Sequence, residues 1–141
     1  LELGINGALT DNVTGFVTYT YQTQPEPSFP GLTEEQALKE INLPSTHQWG
    51  LGLSGTTDKF YGTISVNRAS RAFWQDVLDA RYHGYTPANT FVNMTLGTKF
   101  SEGRYSAALK VTNLMNQQIQ QHIFGDMVKR QIVVEFNMQL R

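Results

Sequence analysis

Apolar and polar positions alternate with a period of two along most of this chain. In LELGINGAL, Leu1, Leu3, Ile5 and Leu9 fall on one side and Glu2, Gly4, Asn6 and Ala8 on the other. VTGFVTYTY sets Val17, Tyr19 and Tyr21 against Phe16, Thr18 and Thr20, and QWGLGLSG sets Trp49, Leu51 and Leu53 against Gln48, Gly50, Gly52 and Ser54. FYGTISVN places Phe60, Ile64 and Val66 opposite Tyr61, Thr63, Ser65 and Asn67. FVNMTLGTKF places Val92, Met94, Leu96 and Phe100 opposite Asn93, Thr95, Gly97 and Lys99, and YSAALKVT places Tyr105, Ala107, Leu109 and Val111 opposite Ser106, Ala108, Lys110 and Thr112. In the last ten residues Ile132, Val134, Phe136, Met138 and Leu140 alternate with Val133, Glu135, Asn137, Gln139 and Arg141. Successive side chains of a strand point to opposite faces, so each stretch predicts a strand with one apolar face, seven in all.

The connections alternate too. TDN (10–12), TTDK (56–59) and SEGR (101–104) have the polar, turn-forming residues of tight antiparallel connections. Between them lie long segments at 23–45, 69–89 and 113–127, a length uncommon in compact domains unless the loops serve a function. An all-β, antiparallel up-and-down arrangement follows, with tight turns at one end and long loops at the other. In the first long loop, Thr33 followed by Gln36 spells a capping box for a short helix, and Pro25, Pro27, Pro30 and Pro44 exclude a central strand there.

Alternation alone does not say what the apolar face meets. A soluble β-sandwich or β-barrel ligand-binding domain would turn that face to a core and carry many Lys and Glu on the outer one. Here the polar face is mostly Asn, Gln, Thr, Ser and Gly, with isolated Glu2, Lys99, Lys110 and Glu135. Aromatics gather at strand ends, Phe60, Phe100 and Tyr105 beside tight turns and Trp49 and Tyr21 beside long loops, as amphipathic rings do at bilayer interfaces. The expected fold is therefore a transmembrane β-barrel segment with lipid on the apolar face and a wet interior on the polar one. Bacterial barrels have even strand numbers, so seven strands predict a piece of a larger barrel.

Composition changes this picture little. A mean hydropathy of -0.34 suits strands that are half apolar. No run approaches the 18 or so apolar residues of a membrane-spanning helix. With 141 residues and a net charge of -1, recognition of nucleic acid by bulk charge is not expected. The absence of cysteine excludes disulfides and thiolate chemistry within the chain.

The densest candidate chemistry is WQDVLDARYHGY. Trp74, Tyr82, His83 and Tyr85 are the candidate ligand-binding residues, as aromatics on a long outer loop, although packing within the loop explains them equally well. Asp76, Asp79 and His83 would share a helix face, but loop residues at such spacing are usually solvated, so no metal is expected. His47 and His122 have no partner at triad spacing, and neither an enzyme nor a cofactor is expected. GLGLSG lacks a surrounding βαβ unit, so its glycines mark places where the wall or its contents come close.

The phrases VTNLMNQQI and HIFGDMVKRQIVVEFNMQLR resemble the carboxy-terminal end of TonB-dependent outer-membrane receptors, where an Asn-Leu-aromatic-Asn phrase ends the penultimate strand. NLPSTHQWGLGLSG, FYGTISVNRASRAFWQDV and TFVNMTLGTKF resemble the strands before it, so the likeness runs from about Leu43 to the end. Met115 departs from the family's aromatic, and Arg141 from the aromatic that typically ends the closing strand. The resemblance implies a bacterial outer-membrane protein with a 22-stranded barrel around an amino-terminal plug. Residues 1–141 would then be the carboxy-terminal part of that barrel, without the plug. It further implies active uptake of a scarce solute such as a ferric chelate, cobalamin or a glycan, powered by the TonB complex through the plug. The implied partners are outer-membrane lipid, the rest of the barrel with its plug, the TonB complex and the small solute.

Overall fold

A computed structural model describes residues 1–76 and 79–139 of the chain. Seven strands form one sheet: β1 (Glu2–Thr10), β2 (Val13–Tyr21), β3 (His47–Thr56), β4 (Phe60–Ala69), β7 (Asn89–Phe100), β8 (Tyr105–Thr112) and β11 (Gln131–Met138). They lie side by side in chain order and every pair is antiparallel, an all-β meander. The long loops hold the remaining elements, helix α1 (Glu34–Leu38), the hairpin of β5 (Ala72–Trp74) with β6 (Gly84–Thr86), and the pair β9 (Ile119–Gln120) with β10 (Met127–Val128). The sheet is open, with β1 and β11 as its two edges. Leu140 and Arg141, expected to extend the closing strand, lie outside the described residues.

All seven expected strands form, and so do the three tight turns. The turn between β7 and β8 passes through Ser101, Glu102 and Gly103 at φ of 52°, 55° and 82°, left-handed conformations that put the tightest demand on its sequence. The Thr33 and Gln36 capping box is present, with Gln36 N–H donating to Thr33 Oγ1 at 3.3 Å and Thr33 N–H to Gln36 Oε1 at 2.9 Å.

Register joins the apolar sides of all seven strands into one surface, because cross-strand partners share a face. Ile5, Val17, Leu51, Val66 and Val92 form one row. Leu96, Leu109 and Val134 continue it nearer the tight turns. This face is uncovered, with Ile5 and Val134 each 78% exposed and Leu96 54%. All but one of the buried positions among the described residues lie elsewhere: Gly50, Gly52 and Ala108 belong to the polar face and Ala37, Phe73, Thr86, Asn113 and Ile119 to the loops, while Val111 is the exception on the apolar face.

The glycines of GLGLSG have a steric role. Phe16 belongs to the polar face and lays its ring over β3, where a Cβ on Gly52 would stand 2.5 Å from the ring and 3.1 Å from Ile64 O. Gly97 likewise makes room for the Tyr61 ring, which a Cβ there would overlap.

Candidate functional site

The long loops meet around the β5–β6 hairpin. Leu43 and Phe73 exchange backbone hydrogen bonds of 2.9 and 2.8 Å, which ties the first loop to the second. The His122 ring lies 4.4 Å from that of Trp74, joining the third loop to the second. Phe73 is buried at the centre, with His83 edge-on at 5.8 Å and Tyr85 at 5.1 Å.

The four expected ligand-binding residues do not converge. In the hairpin Phe73 pairs with Tyr85 and Trp74 with Gly84, so Tyr85 and Trp74 point to opposite sides. Trp74 donates its indole N–H to Thr86 Oγ1 at 3.2 Å, and His83 Nε2 lies 3.1 Å from the carbonyl oxygen of Asp76. Tyr82 is exposed, with the Arg81 guanidinium 6.0 Å from its ring centre. His83 and Tyr85 therefore share one side of the cluster, while Trp74 packs inside the loops.

That side opens into a groove of about 490 Å³, lined among others by Gln24, Lys39, Glu40, His83 and Tyr85. Across Tyr85 lies a second of about 290 Å³, reached by His47, Ser70 and Arg71. The Arg71 guanidinium stacks 4.8 Å from the Tyr85 ring centre. An aromatic wall with cations of both shapes and a few carboxylates suits binding of a small polar solute with a flat part. Sequence reasoning missed Phe73 and Arg71, since neither follows from spacing.

Asp79 does not join Asp76 and His83 as a ligand set, and no group of three or more His, Asp or Glu forms a metal site among the described residues. Asp79 instead takes two hydrogen bonds from Arg81 Nε and a 2.5 Å ion pair from Nη2. The side-chain hydrogen bonds from Arg81 hold its carboxyl below the ordinary 3.8, helped by Arg81 N–H. A depressed carboxylate pKa means that this loop contact is fully present above the ordinary aspartate range and is lost as pH falls through the folded value. Carboxyl NMR should find Asp79 titrating below 3.8 and moving back up in Arg81→Ala. An Asp79 titration unchanged by Arg81→Ala would contradict this pairing.

The base of the third loop is held by the phrase that carried the resemblance. Asn113 and Asn116 have φ of 54° and 52°, and Asn113 is fully buried. Its Nδ2 donates to Gln117 O at 2.7 Å and Val128 O at 3.2 Å, while its Oδ1 accepts from Gln117 N–H at 3.1 Å. One side chain thus joins both arms of the loop to the end of β8. Met115, where an aromatic was the family expectation, is exposed.

Two aromatic groups bound the apolar face. By the tight turns, Phe100, Tyr105 and Phe136 stack or tilt at 5.6 to 6.3 Å. By the long loops, Tyr19 and Trp49 meet at 4.3 Å and Tyr21 and His47 at 5.2 Å. Along β4, eight residues separate the level of Phe60 from that of Arg68, about 26 Å at ~3.3 Å per residue. Arg68 stands on the apolar face, paired between Trp49 and Thr90, and is the single Asp, Glu, Lys or Arg in the paired positions of that face among the described residues. Comparison with family models, with curated proteins and with solved structures finds no match to this chain.

Proposed function

We propose that this chain is the carboxy-terminal part of the barrel of an outer-membrane active transporter of the TonB-dependent receptor type. In this reading it contributes seven strands and three outer loops to a protein that binds a scarce solute, such as a ferric chelate, cobalamin or a glycan, and imports it with energy delivered through a plug. The observation that carries the reading is the exposed apolar face, bounded by aromatics at both ends and, in its paired positions among the described residues, free of charge except at its long-loop rim. Water penalises such a surface, whereas hydrocarbon accepts it and excludes charge from its middle. Hydrocarbon also requires backbone groups to be paired, so the unpaired edges of β1 and β11 call for further strands. The grooves beside Tyr85 would then open outward, where a solute arrives.

Topology provides the test. In intact cells carrying the full-length protein, an epitope at Glu35 or Asp79 should bind external antibody, and one at Asp58 or Glu102 should bind only after the outer membrane is opened. Antibody access to all four, or to the tight turns alone, would overturn the reading.

A further inference from the structure

We infer that the long-loop rim of the apolar face holds the phosphate-bearing headgroup of an anionic membrane lipid at Arg68, an inference that rests on the membrane reading above. Three successive rows of side chains change character over two steps of strand. The innermost, Val17, Leu51, Val66 and Val92, is wholly apolar. The next, Tyr19, Trp49, Arg68 and Thr90, is amphipathic, and beyond it stand Tyr21 and His47. Acyl chain, glycerol and headgroup follow the same order over a similar depth.

Arg68 is prepared for an anion. Its Nη1 donates to Thr90 Oγ1 at 3.0 Å, which orients the planar group and leaves other N–H donors for a forked contact with phosphate. No acidic side chain pairs with it among the described residues. Trp49 flanks it on one side, and the Tyr19 hydroxyl sits 2.8 Å from His47 Nδ1, adding polar groups at the same level. A strongly hydrated ammonium would serve only as a point charge, whereas the guanidinium fork matches phosphate oxygens.

Because Trp49 is the cross-strand neighbour of Arg68, its fluorescence reports the occupant. The full-length protein is placed in phosphatidylcholine vesicles containing either dibrominated phosphatidic acid or dibrominated phosphatidylcholine, and the Trp49 signal is taken as the difference from Trp49→Phe. Phosphatidic acid should quench more strongly at equal mole fraction. Arg68→Gln should lower that preference about fivefold, the scale of one basic side chain at an anionic lipid surface. Lys99→Gln, on the polar face near the tight turns, should leave it unchanged.

Quenching by neither lipid would refute the membrane reading itself. Equal quenching by both would leave that reading in place and refute the headgroup site. A preference that survives Arg68→Gln, or one that Lys99→Gln lowers as much, also overturns the site, as does its abolition by millimolar inorganic phosphate, which would mark a site for the free ion.

Discussion

Leu96→Arg is expected to destabilise the full-length protein in lipid vesicles by about 2 to 4 kcal/mol, the cost of a basic side chain on the lipid face near mid-depth. Leu96 lies midway between the aromatic groups, beside Gly62 and Leu109, and points away from all protein layers. A packed protein core would penalise the same change through an unpaired buried charge, so this result needs a companion. Leu96→Phe supplies it. The Leu96 side chain already lies over Gly62 with its outer side exposed, and fluid lipid accommodates a larger ring there, so the expected change is near zero. A second protein layer over the sheet would instead be overpacked by about 1 to 3 kcal/mol. Thr63→Arg serves as the control for the opposite face at similar depth. Thr95, the more obvious choice, stands directly across from Lys110 and would set like charges side by side. Folding titrations in which both Leu96 variants are damaging would mean that protein covers this face.

The second large effect is expected at Asn113. Asn113→Ala leaves Gln117 N–H, Gln117 O and Val128 O without their side-chain partner. Gln117 is exposed and Val128 half-buried, so water restores part of the loss at each freed group and the total expected is about 1 to 3 kcal/mol. Asn113→Gly removes the same bonds but relieves the left-handed backbone, and should be milder by about 1 kcal/mol. Denaturant titration gives the totals, and amide exchange at Gln117 should rise in both variants. A loss under about 1 kcal/mol for Asn113→Ala would show that the side chain does not hold the loop.

Glycine positions show how far local pattern reaches. Gly50 and Gly52 were readable as places of close approach, because glycine within a strand weakens it unless something needs the room. That the occupants are Thr18 and Phe16, and that Gly97 makes the same room for Tyr61, depends on register across strands. The Asn113 to Asn116 phrase was legible as a resemblance, and its mechanism, two left-handed asparagines with one buried amide, is visible only in three dimensions.

The seven strands, three tight turns and capped helix were determined by the sequence itself, because each depends on the residues' own backbone geometry and on a period of two that survives in any context. Tertiary structure decided what that period could not. It brought seven apolar sides into one uncovered face, since register is a relation between strands. It sent Trp74 and Tyr85 to opposite sides of one hairpin, where the expected ligand-binding set had placed them together, because register pairs Tyr85 with Phe73 and Trp74 with Gly84, and it tied that hairpin to Leu43 and His122 from 30 and 48 residues away. It also extended β4 to Ala69 and so put Arg68 in the apolar register, a cation at the rim of a surface whose other paired positions among the described residues carry no charge, which acquires its meaning only from the neighbours that pairing places beside it.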